Sequence, residues 1–287
     1  MHLAYVGSQS YHQSTPLHLN PGIYADQGAR STYPLMGPIL EMMTAGTASY
    51  HSLQASLNKH LSHGLQFQSS FTWSKGIDLS SIPSLAWTGG IADPFDLNHN
   101  RGVSNLNFPL ISITSFIYQT PGLKSSGMLM KNIFGSWQLS TIWTLQSGQP
   151  FGIVGGDGNN NSGALQYGDR ADLTGQPYNV RQGSKVQWIN QYFNSAAFQA
   201  NAPGTFGNSP RNLFQAPGTN TADVGIDKDW QIQEKYDIQF RWEMFNAFNR
   251  PSFGIPNNDP SSSNFGQITN IGVTPPRVMQ GALKFSF

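Results

Sequence analysis

A two-residue alternation of apolar and polar side chains limits this chain to β-structure more than any other feature of its sequence. In residues 65–74, the apolar Leu65, Phe67, Phe71 and Trp73 are separated by glutamine, serine and threonine residues. Successive side chains of a β-strand point to opposite faces, whereas one face of an α-helix recurs every three or four residues. The alternation therefore predicts a strand with one apolar and one polar face.

The same pattern recurs along the chain and predicts an all-β protein. Residues 52–58 and 65–74 form a predicted antiparallel hairpin around the connector 59–64. The other alternating segments are residues 137–145, 224–232, 236–244 and 279–287, with weaker candidates at residues 1–7 and 108–118. Pro109 weakens the last candidate, because proline cannot donate a hydrogen bond to a sheet. Together these segments predict about eight strands.

The segments between the strands alternate in length. Long stretches rich in glycine, proline, asparagine and serine alternate with shorter ones; the long stretches are residues 8–48, 75–105, 155–222 and 249–276, and the shorter are 59–64, 121–136 and 233–235. Loops this long are uncommon in compact soluble domains, whereas outer-membrane barrels combine long extracellular loops with short periplasmic turns. The pattern predicts a segment of an antiparallel transmembrane β-barrel with long extracellular loops and shorter periplasmic turns.

Aromatic residues lie in or near the ends of the predicted strands. They are Tyr50, Trp73, Trp137, Trp143, Trp230, Tyr236 and Trp242. Tryptophan and tyrosine form girdles at the two lipid interfaces of such barrels. Aromatic residues also favour β-structure in general, so the girdle interpretation depends on its agreement with the loop lengths.

Composition excludes several classes of protein. The chain has no cysteine, hence no disulfide, thiolate nucleophile or cysteine metal ligand. The 16 basic and 15 acidic residues give a net charge of +1, which offers no attraction to nucleic acid. Residues 1–7 have neither the basic segment nor the apolar core of a signal peptide, so none is expected. We expect outer-membrane lipid, and no nucleic acid, among the partners.

Three groups of residues are candidates for metal binding or catalysis. Residues 157–163 begin like a calcium loop but have Ser162 at the turn-glycine position and Gly168 at the bidentate-glutamate position. His60 and His63 are assigned to a short turn without a neighbouring carboxylate. Asp93, Asp96 and His99 share one long loop, but sequence proximity is weak support for a catalytic group. We therefore expect no enzyme activity, no metal and no cofactor.

A charged cluster occupies the polar face of the strand at residues 236–244. Asp237, Arg241 and Glu243 alternate there with apolar residues, which places all three toward the lumen of a barrel. Arg241 is close enough to pair with Glu243 or with a charge on a neighbouring strand. The cluster is either the hydrated wall of a wide barrel or part of a solute path or plug contact.

The last segment alternates up to Phe287. The apolar residues of this segment would face lipid: Met279, Gly281, Leu283, Phe285 and Phe287. The residues that would face the lumen are Gln280, Lys284 and Ser286. This pattern resembles the terminal strand of bacterial outer-membrane proteins, whose final aromatic residue is read by the barrel-assembly machinery. The resemblance makes Leu283, Phe285 and Phe287 a candidate assembly signal.

Short motifs distributed along the chain resemble the barrel of TonB-dependent transporters, and more narrowly the Oar-like group. The matching stretches are residues 4–8 (AYVGS), 50–54 (YHSLQ), 71–75 (FTWSK), 145–151 (LQSGQPF), 192–194 (YFN) with 197–198, 203–208 (PGTFGN) with 211–212 (RN), and 243–254 (EMFNAFNRPSFG). Each stretch is weak alone, but their order and spacing together are specific.

The resemblance implies a role in solute uptake or binding at the cell surface. In the family that this chain resembles, full-length members consist of a signal peptide, a carboxypeptidase-regulatory-like sandwich, a plug domain and a barrel of about 22 strands. This chain matches only the final part, so residues 1–287 are expected to be a carboxyl-terminal fragment of the barrel, without plug or signal peptide. TonB would act only through a plug that is absent here. The alternatives are a soluble or secreted β-sandwich binding module and a self-contained small outer-membrane barrel.

Overall fold

The computed structural model describes residues 1–22, 30, 32–81, 91–123, 127–155, 160–164, 168–180, 183–232 and 236–287. Its strands are β1 (His2–His18), β2 (Leu40–Ser62), β3 (Leu65–Asp78), β4 (Gly102–Val103), β5 (Leu110–Gln119), β6 (Trp137–Gln146), β7 (Pro150–Phe151), β8 (Asp172–Leu173), β9 (Phe198–Gln199), β10 (Phe214–Gln215), β11 (Thr219–Ile232), β12 (Tyr236–Phe245) and β13 (Val278–Ser286). Two short helices are α1 (Met128–Phe134) and α2 (Lys185–Asn190). Neither is long and apolar enough to cross a membrane, and the same holds for every described helix.

One antiparallel sheet dominates the fold. Its long strands follow the order β1-β2-β3-β5-β6-β11-β12-β13, and the two-residue β4 pairs with β3, which makes nine strands in all. We call the eight long strands the wall. Within the described part of the chain, β1 and β13 are the two edges, so the sheet is open rather than closed into a barrel. The predicted all-β antiparallel architecture is therefore confirmed.

The connections divide between two ends of the wall. Residues 63–64, 120–136 and 233–235 join strands at one end, which we call the turn end. Residues 19–39, 79–109, 147–218 and 246–277 join strands at the opposite end, the loop end. In the tight hairpin, Gly64 has a φ of +77°, and an added Cβ would overlap the carbonyl of Gln119, which explains a glycine there.

The strand register gives the wall one apolar and one polar face. Trp143 lies opposite Thr114 and Ala222, and Trp242 lies opposite Ile226 and Gly281. The same face carries exposed apolar side chains that include Leu3, Tyr5, Leu53, Leu57, Phe71, Trp73, Leu110, Tyr118, Leu145, Leu283 and Phe285. The opposite face carries mainly polar and charged residues, with Ile111, Ile113, Ile117 and Ile142 of β5 and β6 as apolar exceptions. A face this apolar and this exposed requires an apolar environment.

Several predicted boundaries were wrong at the loop end. Residues 8–48 are not one loop, because β1 continues to His18 and β2 begins at Leu40. Polar residues extend these strands, since the backbone ladder needs no apolar side chains beyond the apolar band; two register shifts between Ser10 and Thr15 accommodate the irregular pairing. Similarly, β3 continues to Asp78 and β11 already begins at Thr219.

Other predictions had mixed outcomes. The weak candidate at residues 108–118 is β5, and Pro109 lies immediately before it, where no ladder hydrogen bond is lost. His60 lies in β2 rather than in the turn, which contains His63. Tyr50 lies opposite Gly76 on the polar face, so it does not belong to an aromatic girdle.

A second region packs at the loop end. We call it the loop module: the described residues of 150–217 together with residues 256–268. Its core consists of the buried residues Phe151, Ile153, Ala171, Phe193, Ala197, Phe198 and Ala216. Phe193 is completely buried, with ring centroids 5.0 Å from Phe214 and 5.2 Å from Phe265. The small sheets β7–β10 and β8–β9 frame this core.

Candidate functional site

The predicted charged cluster lies on the polar face of the wall, on the last three strands. The register places Arg241 of β12 opposite Asp227 of β11 and Ala282 of β13. Two residues further along, Gln239 lies between Asp229 and Lys284. Charges of both signs from three adjacent strands therefore share this face.

Arg241 pairs across the strands rather than along its own strand. Its Nε donates to Oδ1 of Asp227 on the neighbouring strand at 2.9 Å. A charge on a neighbouring strand was one of the two predicted partners. The Arg241 side chain is 49% exposed, so the pair contributes about 0–1 kcal/mol to stability. Glu243, the other candidate partner, instead accepts a hydrogen bond from Gln280 Nε2. The ion pair orients Arg241 without engaging all of its donors.

The three predicted cluster residues line three different recesses of the polar face. Asp237 lines a recess of about 660 Å³ at the turn end, together with Asp229, Gln239, Lys284 and Ser286. Arg241 lines a recess of about 460 Å³ further along the wall. Glu243 borders a third, of about 330 Å³, whose other polar lining residues include Gln66, Gln68, Ser115 and Ser140. The structure thus spreads the cluster over three separate recesses instead of gathering it at one point.

The candidate assembly residues lie on the apolar face as predicted. Leu283 pairs with Phe240 and Phe285 with Ile238, while Lys284 and Ser286 pair with polar residues on the other face. Phe285 stacks on Tyr236 at 5.7 Å and on Phe287 at 6.0 Å. Leu283 is 72% exposed and Phe287 is 90% exposed. The register places Leu283 and Phe285 on the apolar face, Phe287 stacks on Phe285, and the role of all three in assembly stays a prediction.

A buried ion pair at the loop end was not predicted from the sequence. Arg211 Nη1 lies 2.6 Å from Asp78 Oδ1, and Arg211 Nη2 donates to Ser81 Oγ at 2.7 Å. The neighbouring Asn212 donates to the carbonyl of Val103 at 2.7 Å. These bonds fasten the loop module to the end of β3. The only sequence signal was the Arg-Asn pair among the family-like motifs, which carried no chemical role.

In the loop group Asp93, Asp96 and His99, both carboxylates accept hydrogen bonds from the loop backbone. Asp93 Oδ1 accepts from the backbone N–H of Phe95 at 2.8 Å, and Asp96 Oδ1 accepts from that of Asn98 at 3.0 Å. Asp96 thereby caps a short 3₁₀ turn. Burial lowers the pKa of His99, and the nearby positive charge of Arg170 lowers it further. Both carboxylates are thus used by the backbone of their own loop.

The segment that begins like a calcium loop is only partly described, because residues 157–159 lie outside the described residues. In its described part, Ser162 donates to Asp169 through its backbone N–H at 2.7 Å and through its hydroxyl at 2.8 Å. Asn201 Nδ2 adds a third bond at 3.2 Å. Burial raises the pKa of Asp169, while these hydrogen bonds oppose the shift. Among the described residues, no group of three or more His, Cys, Asp or Glu side chains gathers as a metal site would require.

One family comparison covers almost the whole chain. A family model described as "Outer membrane beta barrel domain" matches residues 1–280. Among solved structures, the chain is similar to the outer membrane transporter YddB from Escherichia coli, with a TM-score of 0.43 and 11% sequence identity. That alignment covers 99% of this chain and 29% of the transporter. No curated protein sequence matches the chain.

Proposed function

Because this chain belongs to the outer membrane β-barrel domain family, we propose that it forms part of the barrel wall of a TonB-dependent, Oar-like transporter. Family membership places the chain in the outer membrane. The apolar face of the wall then contacts lipid, and the polar face borders the lumen. The proposed activity is uptake or binding of a solute at the cell surface, and not catalysis.

The open, two-faced wall is the observation that carries this proposal. A soluble sandwich would bury its apolar face against a second sheet, whereas Trp73, Leu283 and Phe285 are more than half exposed here. A self-contained small barrel would pair β1 with β13, and within the described residues these strands are separate edges. Both features favour one section of a wider barrel over the two alternatives.

The lining of the recesses at Asp237 and Arg241 supports a polar solute as part of the proposal. The recesses lined by Asp237 and Arg241 offer serine and glutamine side chains together with charges of both signs, whereas the recess at Glu243 also has apolar lining residues such as Ile117, Ile142 and Phe245. Such a surface binds polar, hydrogen-bonding molecules better than apolar ones. Asp237, Arg241 and Glu243 are the proposed contacts along this path, and the other role for them is the hydrated wall of a wide barrel.

The proposed partners follow from the same assignment. Outer-membrane lipid would surround the wall, and the barrel-assembly machinery would insert it through Leu283, Phe285 and Phe287. TonB would act through a plug, so the wall alone would not energise uptake. No nucleic acid is proposed as a partner.

Membrane fractionation tests the membrane assignment. We expect the native protein to sediment with outer membranes, to resist extraction by urea and to dissolve only in detergent. A monomer that is soluble in buffer would contradict the proposal and support a soluble binding module.

Cysteine cross-linking tests the wide-barrel assignment, since the chain has no cysteine of its own. Ala4→Cys on β1 is combined in turn with Gln280→Cys, Ala282→Cys and Lys284→Cys on β13. A wide barrel predicts no disulfide for any of the three combinations, because the two edges are apart. The positive control is Ser56→Cys with Ser70→Cys, which are register partners on β2 and β3. Efficient cross-linking between β1 and β13 would instead establish a small closed barrel.

A further inference from the structure

The connector that contains α1 exposes apolar side chains at the turn end. Leu129, Met130, Ile133 and Phe134 are between 51% and 76% exposed. Helical periodicity places these four on one side of α1 and Lys131 and Asn132 on the other. A connector in water has no reason to present such a stripe, which is typical of a binding surface.

Two tryptophan side chains attach α1 to the apolar face of the wall. Trp137 Nε1 donates to the carbonyl of Ile133 at 2.7 Å, and Trp230 Nε1 donates to that of Asn132 at 2.9 Å. Their rings meet edge to face, with centroids 6.4 Å apart. These bonds satisfy carbonyls at the end of α1 that have no partner within the helix. The end of α1 therefore lies beside the apolar face, while Lys131 and Asn132 border the recess at the turn end.

Lys228 is a charged residue on the apolar face, and the connector covers it. The register places Lys228 between Trp137 and Phe240, on the apolar face, yet it is only 2% exposed. Its Nζ donates to the carbonyl of Gly135 and lies 4.9 Å from the Trp137 ring centroid and 5.4 Å from that of Trp230. An ammonium group facing lipid would be unfavourable, and the connector with the two indole rings covers it.

We infer that residues 127–136 form an anchor that lies in the plane of the periplasmic leaflet. Its partner is phospholipid: Leu129, Met130, Ile133 and Phe134 enter the boundary between headgroups and acyl chains, whereas Lys131 on the other side of α1 borders the polar recess at the turn end. The turn end is periplasmic because short connectors of outer-membrane barrels lie on that side. Tryptophan favours the same depth, since its ring is apolar and its N–H is polar. The hydrogen bond from Lys228 Nζ to the carbonyl of Gly135 fixes the depth of the anchor relative to the wall.

Site-directed spin labelling tests the anchor in the intact protein, reconstituted in phospholipid vesicles, with any cysteine outside this chain replaced by serine. Single labels are placed at Ile133→Cys and Phe134→Cys, with Lys131→Cys and Asn132→Cys as matched controls on the polar side of the same helix. Trp143→Cys supplies a reference on the apolar face of β6. Power saturation then compares the access of lipid-soluble oxygen with that of a water-soluble nickel chelate.

We expect the Ile133 and Phe134 labels to favour oxygen over nickel severalfold, as the Trp143 label does, and the two control labels to favour nickel. Nickel access at all four connector labels, with the Trp143 label in lipid, would overturn the anchor and leave the wall assignment intact. Low access to both reagents at Ile133 and Phe134 would also overturn it, because protein rather than lipid would then cover the stripe. A Trp143 label in water would overturn the anchor and the membrane assignment together.

A second measurement tests the indole bonds. Trp137→Phe and Trp230→Phe keep an aromatic ring but remove the N–H donors to α1. We expect these variants to raise the mobility of the Ile133 label severalfold. Trp143→Phe is the matched control, because the Trp143 Nε1 donates to Asn220 at 3.0 Å and not to α1. Unchanged label mobility in all three variants would show that the indoles do not hold the anchor.

Discussion

The loop module and the wall use the same apolar residue types in opposite arrangements. In the loop module, Phe193 is completely buried among other rings. In the wall, Phe285 is 57% exposed and points away from the sheet. The difference follows from the solvent: water drives rings into a core, whereas lipid is as apolar as the rings themselves.

The two regions also satisfy their polar groups differently. The wall relies on the antiparallel backbone ladder, which leaves side chains free to suit lipid or lumen. The loop module lacks long strands, so its backbone depends on side chains such as Asp169, Asn201 and Asn208. The loop module should therefore lose stability after side-chain substitutions that the wall tolerates.

The largest effect is expected from Phe193→Ala in the loop module. Emptying this fully buried position should destabilise the module by about 3–5 kcal/mol, through lost burial and a cavity. Protease added to intact cells should then cut the loops much faster. Phe71→Ala on the apolar face is the control, and equal cleavage of the two variants would contradict the proposed contrast.

The link between the two regions depends on Arg211. Arg211→Met would leave Asp78 buried and unpaired, at a cost of about 3 kcal/mol. The double variant Arg211→Met with Asp78→Asn removes both charges and should recover much of that loss. Protease sensitivity of the loop end measures both effects, and a double variant no better than the single one would exclude the ion pair as the cause.

A lysine should distinguish the two faces of the wall. Leu283→Lys puts a charge on the apolar face, which costs about 2–4 kcal/mol at the bilayer midplane and less near the interface. Ala282→Lys places the same charge on the polar face of the same strand and should cost little. The level of membrane-inserted protein measures the difference. Equal insertion of the two variants would overturn the face assignment.

Phe287 tests assembly rather than stability. Its exposed ring contributes at most about 1.5–3 kcal/mol by burial in lipid. If Phe287 is also an assembly signal, its deletion should lower insertion more than this contribution explains. Phe248→Ala at the loop end is the control, because Phe248 is an exposed aromatic residue outside the wall strands. Equal insertion after deletion of Phe287 and after Phe248→Ala would show that Phe287 is not an assembly signal.

The smallest effect is expected from lowering the pH, which should destabilise the loop end. Because burial lowers the pKa of His99 in the folded state, the unfolded chain binds a proton first as the pH falls below the usual imidazole pKa of about 6.5. The contribution of His99 to stability is therefore present above that pH and is lost as the pH falls through it. Loop protease sensitivity at pH 7 and pH 5 should show this loss, and His99→Gln should reduce it. An unchanged pH dependence in His99→Gln would exclude this residue.

The sequence by itself determined which side chains share a face of each wall strand. Alternation along a strand is a property of the extended backbone, so the faces of Leu283, Lys284 and Phe285 follow from their order alone. The terminal and central strands, and the separation of long from short connectors, could be predicted for the same local reason.

Only the tertiary structure decided what depends on residues far apart in the chain. Arg211 pairs with Asp78, which lies 133 residues earlier in the chain, and Lys228 bonds to Gly135, 93 residues earlier; no local pattern reports contacts at such separations. The loop module likewise forms because rings from separate loops pack around Phe193. Local backbone geometry sets the period of a strand, but strand register and loop packing set which side chains meet.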